Sequence, residues 1–495
     1  MSQPTYLVKT LGCKANLVDS QKLEAELQRR GWAPALPGAE AQAELCIVNS
    51  CTVTDEADRQ SRKMARRLGR EMPQAQVVFT GCGAEVDPEG LLKAGVADVV
   101  VGNQDKGRLL DLLEQSPEQP GSVVLGSAKN YGQMLSRHPQ DREWPVLESA
   151  FEPSVLNEGE SSRTRAFLKI QDGCNSFCTY CIIPYGRGPS RSLSIDALVK
   201  QVQTLVQQGV RELVLTGINL GDFGVDWNGG RPALTALVQA LLEQTELERL
   251  RVSSLDPVEI EDDLIALMRR EPRFCPHFHV SLQSPESRVL RLMKRKYQSE
   301  QVDDCLIKIS RIPAPVGGAF VGMDLITGFP GEGEEEFSRT VESLSRLPWT
   351  RLHVFPYSER SGTPATRLPG VVPQIERQRR AKVLRELSLE RMRSTHQQAL
   401  DHCRLTQEPL RGVLLEGSVK GPDGTRNWIS GYTPNYLRVM IRADSALQER
   451  LSNQVRAILP EQLVVDSNSG DCAFIGILLE KASESPDCSI GSPRQ

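Results

Sequence analysis

A chain of 495 residues is long enough for several domains, and no run of about eighteen apolar residues marks a membrane-spanning helix. Its net charge of −4 and pI near 6.0 exclude a global positive field, so any grip on a polyanion must come from local clusters. The first residues, MSQPTYLVKTLGCK, lack a basic stretch followed by an apolar one. The expected compartment is therefore the cytoplasm, where 12 cysteines read as metal ligands or redox groups rather than disulfides.

Residues 5–115 alternate strands and helices. YLVKTLG, ELCIVNS and QVVFTGC read as strands, and Ser20–Arg30 and Glu56–Arg70 as helices, with Leu23 and Leu27 on one face of the first. The alternation predicts a parallel sheet with crossover helices. Residues 116–158 turn rich in Pro, Ser and charge and read as a linker. From 165 to about 360 the alternation returns: AFLKIQ, ELVLTG, LERLRVSS, HFHVSL, GGAFVGMDLI and TRLHVFPY are expected strands. Ser194–Gln208 and Glu261–Arg270 are among the helices between them. Six repeats predict an open parallel (β/α)6 partial barrel, with its chemistry at the C-terminal strand ends. Gln374–Ala399 is a long charged helix, and 405–481 reads as a small antiparallel barrel. The last residues, SESPDCSIGSPRQ, read as disordered.

Directly after the AFLKIQ strand comes GCNSFCTYC, with Cys174, Cys178 and Cys181 in C-x3-C-x2-C spacing. So tight a loop brings three thiolates onto one small metal object, as in iron–sulfur sites. A cubane has four irons, so three protein ligands leave one iron open to a small molecule. Structural zinc normally takes four ligands, and the chain has no further C-x2-C or H-x3-H pair to complete such a set. With Tyr180 before the last cysteine, the segment resembles the signature of the radical S-adenosylmethionine superfamily. The resemblance implies that the open iron chelates S-adenosylmethionine, whose C–S bond is cleaved to a 5'-deoxyadenosyl radical.

Cys13, Cys51 and Cys82 each end a predicted N-terminal strand, so one sheet edge can gather them. On their own, three dispersed cysteines read equally well as core residues. Cys46, inside its strand, reads as core. GCKANLVDS, NSCTVT and TGC resemble the N-terminal domain of the methylthiotransferases, a branch of the same superfamily, and the likeness runs from about 5 to 481. Ser50 stands where that family usually has Thr, and Pro285 where it commonly has Gly. The resemblance implies a second 4Fe-4S cluster on Cys13, Cys51 and Cys82. There one S-adenosylmethionine methylates a sulfur, while a second is cleaved at the other cluster to activate C2 of an adenine base. It also implies an S-adenosylmethionine pocket lined by Thr216, Gly217, Asn219, Ser281, Gln283 and Asp324. The expected divisions are an N-terminal domain at 3–115, the linker at 116–158, a radical core at 159–390, an RNA-binding barrel of TRAM type at 391–481 and a tail at 482–495.

Arg187 and Arg191 read either as facing an anionic ligand or as a solvated loop. Arg59, Arg62, Lys63, Arg66, Arg67 and Arg70 share one helix face, with Met64, Ala65 and Leu68 behind it. Six like charges favour a phosphate backbone over a merely solvated surface. RLMKRKY at 291–297 is a second basic cluster. In the C-terminal barrel, Trp428, Tyr432 and Tyr436 with Arg426 and Arg438 suit base stacking, or else fill the barrel. RAFLKIQDGCNSFCTYCIIPYGRG and HVFPYSERSGTPA are most similar to the family branch acting on threonylcarbamoyladenosine at position 37 of tRNA. The expected partners are therefore a tRNA anticodon loop and an electron donor such as a flavodoxin or ferredoxin, with no membrane. The alternatives are isopentenyladenosine tRNA, a ribosomal-protein aspartate, or a non-catalytic iron–sulfur protein that binds RNA.

Overall fold

The structure is a computed structural model that describes residues 3–36, 38, 40–116, 123–126, 144, 147, 164–466 and 469–479. The expected linker lies mostly, and the expected tail wholly, outside them. The chain divides into two units, 1–313 with 318–391, and 314–317 with 392–495.

The first unit opens with β1 (Thr5–Thr10), β2 (Ala33–Pro34), β3 (Leu45–Ser50), β4 (Gln76–Gly81), β5 (Val99–Val101) and β6 (Val123–Leu125). They pair in the order β2-β1-β3-β4-β5-β6, all parallel. Crossover helices cover both faces, which is why β3 reads as an unbroken apolar run. Its alternation divides the core. Cys46 and Val48 pack on one face with Val77 and Phe79, while Leu45 and Ile47 pack on the other with Tyr6 and Val78. Cys46 thus takes the core position expected of it. The sheet runs further than the sequence suggested, because β6 falls within the expected linker. Its ValValLeu triplet completes the sheet beside β5, where the neighbouring Pro and Ser signals hid it. The first helix begins at Lys14, six residues before Ser20.

The central part contains β7 (Arg165–Lys169), β8 (Gln171–Asp172), β9 (Arg191–Ser192), β10 (Glu212–Thr216), β11 (Arg249–Val252), β12 (Ser254–Leu255), β13 (His277–Gln283), β14 (Phe320–Thr327) and β15 (Arg351–Pro356). The parallel sheets β11-β10-β7 and β12-β13-β14-β15 meet where one strand breaks at Ser253. Together they supply the six strand positions the sequence predicted. Along β13 the side chains alternate. Phe278, Val280 and Leu282 face the helix-packed core, and His277, His279, Ser281 and Gln283 are half-exposed on the opposite face.

The second unit is a closed barrel of β16 (Leu410–Val419), β17 (Trp428–Tyr432), β18 (Arg438–Arg442), β19 (Gln454–Val465) and β20 (Cys472–Leu478). An odd ring cannot alternate direction all the way round, so the β18–β20 pair runs parallel while the others are antiparallel.

Candidate active site at two cysteine triads

β1, β3 and β4 are neighbours in the sheet, so the turns leaving them share one edge. Cys13 follows β1 as the N-cap of the helix Lys14–Arg29, Cys51 follows β3, and Cys82 follows β4 as the first residue of the helix Cys82–Val86. A helix start favours a thiolate through its exposed N–H groups. Cys13 is exposed, and Cys51 and Cys82 are buried. Gly12 sets the approach of the first turn to the second. It takes φ +98°, and a Cβ there would lie 2.5 Å from Cys51 Sγ. No L side chain fits that backbone and that gap together.

The second triad leaves the end of the β7–β8 segment. Gly173, at φ +77°, turns the chain into Cys174, and a Cβ on it would meet Gly188 O at 2.6 Å. Cys174 N donates to Gly188 O at 3.0 Å and Cys181 N to Cys178 O at 2.9 Å, folding the loop upon itself. Thr179 ties the loop to its surroundings, with its N–H on Met293 O and its hydroxyl on Leu292 O. Tyr180 packs edge-on against Phe329, ring centroids 6.2 Å apart.

Burial pushes the Cys51 thiol up to about 12, and the neighbouring Cys82 and Cys13 sulfurs add to the rise. Burial likewise raises Cys82, although Arg187 and Lys106 pull it back. In the second triad, burial pushes Cys174 up to about 11. Cys181 rises further, with Cys178 and Cys174 contributing. Burial thus disfavours the bare thiolate at Cys51, Cys82, Cys174 and Cys181, and a bound cation would offset that cost. That is the chemistry of a metal-thiolate site. Among the described residues no three metal-binding side chains converge on a single ion. The remaining described cysteines lie elsewhere: Cys46 Sγ contacts Met72 Sδ at 3.3 Å, and Cys275, Cys305, Cys403 and Cys472 are buried.

One arginine donates to a sulfur in each triad. Arg295 Nη1 reaches Cys178 Sγ at 3.0 Å, while the same guanidinium bonds Asp256, Ser281 O and Tyr297 Oη. It comes from the basic segment RLMKRKY but faces inward. Arg187 Nε reaches Cys82 Sγ at 3.2 Å. Arg187 is fully buried, bonded to Asp172, Asp19 and Asn16, so it neither faces solvent nor waits for an external anion. Lys106 and Lys169 complete this buried network on Asp19 and Asp172. Burial alone would raise the Asp19 carboxyl, but Lys106, Lys169 and Arg187 hold it well below the usual carboxylate range. Sequence reading missed Asn16, Asp19, Lys106, Lys169 and Asp172, because their partners lie on elements far apart in the chain.

The residues expected to line the pocket behave differently from one another. Thr216 is buried at the end of β10, and the next turn is held by Gln171 Oε1, which accepts from Ile218 N at 3.0 Å and Asn219 N at 2.9 Å. A Cβ on Gly217 would lie 2.9 Å from that same oxygen. Asn219 Nδ2 and Asp222 Oδ2 are buried and have no hydrogen-bond partner among the described residues. Gln171 Nε2 also donates to Gly173 O at 2.7 Å, so one side chain ties this turn to the start of the second triad's loop. Asp324 pairs with His279 at 2.9 Å, and the Ser281 carbonyl is taken by Arg295 and Tyr297. Gln283 is left-handed, φ +62°, where the pairing of β13 with β14 slips. Gln171 and Asp222 were not picked out from the sequence. Gln171 sits in an ordinary strand segment and shows its role only once β8 and β10 lie together.

The basic helix face proves to be divided. Arg59 pairs with Asp55 and Glu56, Arg62 with Asp58 and Asp87, and Arg67 with Glu71. Lys63, Arg66 and Arg70 have no acidic partner among the described residues. They line a groove of about 500 Å³ closed by Gly95 and Ala97. Behind this face Ala65 and Leu68 are buried and Met64 is half-buried. In the barrel, Trp428 is buried with its indole N–H on Asp423, so it serves the barrel itself. Tyr432 and Tyr436 are half-buried and stacked, with centroids 4.7 Å apart.

Comparison with known proteins adds the following. Residues 168–344 match the Radical SAM superfamily and residues 5–102 the Uncharacterized protein family UPF0004. The chain is 37% identical over 380 residues to the threonylcarbamoyladenosine tRNA methylthiotransferase of Aquifex aeolicus, covering 77% of this chain and 86% of that one. It is 34% identical over 444 residues to the enzyme of the same name from Bacillus subtilis, covering 88% and 90%. To the tRNA-2-methylthio-N(6)-dimethylallyladenosine synthase of Mycobacterium avium it is 36% identical over 393 residues, covering 77% and 52%. Its fold is similar to the radical S-adenosylmethionine methyltransferase TsrM from Kitasatospora setae, solved with cobalamin and a 4Fe-4S cluster. The TM-score is 0.52 and the identity 15%, over 74% of this chain and 77% of that one.

Replacing Gly12 by Ala forces the Cys51 turn to move, because the new methyl group meets its side chain. The substitution should cost more than about 1 kcal/mol, since the native φ is unsuited to Ala. Maleimide labelling of Cys51 in cluster-free protein, read by peptide mass spectrometry, should speed up; an unchanged rate would show that Gly12 does not hold the turn.

Proposed function

Because the chain belongs to the radical S-adenosylmethionine family of threonylcarbamoyladenosine tRNA methylthiotransferases, we propose a division of labour among its residues for that reaction. The enzyme adds a methylthio group to C2 of N6-threonylcarbamoyladenosine at position 37 of tRNA, using S-adenosylmethionine and 4Fe-4S clusters. Cys174, Cys178 and Cys181 hold one cluster, and Cys13, Cys51 and Cys82 hold the other. When bound, the first supplies the reductive cleavage of S-adenosylmethionine and the second the sulfur chemistry. The observation that carries this reading is the pair of matched sites: two sets of three cysteines, one at neighbouring strand-end turns and one in a tight loop, each with an arginine N–H on one sulfur.

The protein's own part is binding and orientation. Three thiols per set leave a metal corner without a protein ligand, which is where a small chelating molecule fits. The buried, unpartnered Asn219 Nδ2 and Asp222 Oδ2 in the turn after β10 suit a polar ligand, because such groups are rarely left unsatisfied. Thr216, Gly217 and Gln283 shape the same strand-end rim, whereas Ser281 and Asp324 already have protein partners. Arg295 holds Cys178 while Asp256 and Tyr297 hold Arg295, so the sulfur is fixed before any ligand arrives. The fold divides as a methylthiotransferase domain through β6, a radical core to about 390 and a TRAM-like barrel beyond. The electron donor is a flavodoxin or ferredoxin class protein. No helix among the described residues is long and apolar enough to cross a membrane, and we assign the enzyme to the cytoplasm.

The RNA contact is electrostatic on the N-terminal domain. Lys63, Arg66 and Arg70 line one groove and form no ion pair among the described residues, while Asp98, which also lines it, accepts from Val77 N at 2.8 Å; the three cations suit the phosphates of the anticodon arm. The stacked Tyr432 and Tyr436, with the exposed Arg426, suit unpaired bases.

Nucleoside analysis of a deletion strain tests the substrate: methylthio-threonylcarbamoyladenosine should disappear from its tRNA while methylthio-isopentenyladenosine persists. The opposite pattern would transfer the enzyme to the other branch. Anaerobic reconstitution should give about eight irons per chain, falling to about four when Cys174, Cys178 and Cys181 become Ala, since each cubane holds four. Changing Lys63, Arg66 and Arg70 to Gln together should lower the slope of log K against log salt for tRNA by about 2 to 3, because each phosphate contact releases counterions. Iron content should not change in that variant.

A further inference from the structure

We infer that Arg187 is a positioning residue for the cluster on Cys13, Cys51 and Cys82, holding a fixed N–H on the Cys82 sulfur and thereby raising the reduction potential of that cluster. The inference rests on the reading that this triad carries a cluster.

The geometry of Arg187 leaves its guanidinium no freedom. Nη1 donates to both Asp172 oxygens at 2.9 and 3.1 Å, and Nη2 donates to Asn16 Oδ1 and, at 3.2 Å, to Asp19 Oδ2. Four bonds on the terminal nitrogens fix the plane of the group, and that plane aims Nε–H at Cys82 Sγ, 3.2 Å away. A planar fork can do this; a lysine ammonium, one point charge on a flexible stem, cannot. The helix Ile183–Arg187 packs against the helix Cys82–Val86, with the site of a Gly186 Cβ 3.4 Å from Cys82 Cβ. The contact is therefore part of the packing between the N-terminal and radical domains.

The charge count points the same way. Among the described residues, the ion pairs of this network join three cations, Lys106, Lys169 and Arg187, to two anions, Asp19 and Asp172. One positive charge is left over where water does not reach, which is unfavourable unless an anion lies beside it. Cys82 is the acceptor in contact with it. As a ligand thiolate on a cluster, that sulfur carries the missing negative charge. Hydrogen bonds to cluster sulfurs and local charge set reduction potentials, and both favour the reduced, more negative state here. Asp172 also stands two residues before Cys174 and accepts from Gly173 N at 2.9 Å. The group that orients Arg187 therefore anchors the loop of the other triad as well.

The test uses full-length protein in which Cys174, Cys178 and Cys181 are Ala, so that only the cluster in question is present. Two variants are made in it: Arg187→Lys, which keeps the charge but loses the fork, and Arg187→Gln/Asp172→Asn, which removes one charge of each sign and leaves no stranded carboxylate. An anaerobic redox titration followed by electron paramagnetic resonance reads the midpoint, and iron analysis reads occupancy. We expect the double variant to keep its four irons and to shift the one-electron equilibrium at least tenfold toward the oxidised state, about 59 mV downward. Arg187→Lys should shift it in the same direction by less. In the reciprocal background, with Cys13, Cys51 and Cys82 as Ala, the same changes should move the other midpoint much less. An unmoved midpoint at full iron content, or equal shifts in both clusters, would overturn the inference and leave Arg187 a packing residue. Absence of any cluster in the first background with Arg187 intact would instead remove the reading on which the inference rests.

Discussion

The arrangement of the first unit depends on a charge network buried between two sheets. Asp19 comes from the first helix, Lys106 from the far side of the N-terminal domain, Lys169 and Asp172 from the first barrel strand and its exit, and Arg187 from beyond the second triad. Buried charges are stable only when geometry and hydrogen bonds are complete, and removing one partner is far more costly than any single surface pair is worth. The network therefore accepts one mutual placement of the two domains. Because Asp172 leads into Cys174 and Arg187 ends on Cys82, that placement is also the placement of the two cysteine triads. Packing of apolar faces alone would tolerate more slippage.

Around this fixed point, the triads follow one local plan. Cys13, Cys51 and Cys82 each follow a parallel strand at its C-terminal end, where sheet topology converges neighbouring turns, whereas Cys174, Cys178 and Cys181 share the single loop after β8. A glycine with positive φ precedes the first cysteine of each set, allowing backbone to approach where a side chain would collide. An arginine with its own carboxylates contacts one sulfur. Arg295 and Arg187 differ in origin, one from the segment just after the helix Ser287–Leu292 and the other from the helix Ile183–Arg187, yet they place the same donor on the same kind of atom. The recurrence follows from chemistry. Thiolates gathered in a dry site repel one another, and a cation beside them offsets part of that cost.

The acidic balance of the chain and a tRNA substrate are compatible because the charges are sorted by position. On the helix Asp55–Glu71 half of the cations are neutralised by carboxylates on the same helix or on Asp87, and the other half face a groove. Over fifteen residues such a helix extends about 22 Å, so its basic end lies well away from the Cys51 end. That separation suits a long polyanion whose loop enters the site while its stem extends outward. The barrel unit carries features of another kind, stacked rings at Tyr432 and Tyr436 and the exposed Arg426.

Local elements and the grouping of the two cysteine sets were already legible in the sequence. Strand and helix periodicity, the C-x3-C-x2-C spacing, and the strand-end positions of Cys13, Cys51 and Cys82 are all properties of neighbouring residues. So are the apolar runs that mark parallel strands buried on both faces. Tertiary structure alone decided the rest. Arg59, Arg62 and Arg67 pair with carboxylates three or four residues away on their own helix, but the second partner of Arg62, Asp87, comes from another element. Whether Trp428 stacks on a base or fills a wall depends on the closure of the barrel. That Arg187 and Arg295 turn inward, and that Asn16, Asp19, Lys106, Lys169, Asp172 and Gln171 matter at all, depends on partners up to 171 residues away along the chain. Electrostatics and hydrogen bonding act through space at a few ångströms, and no periodicity in the sequence records which distant residues the fold will bring that close.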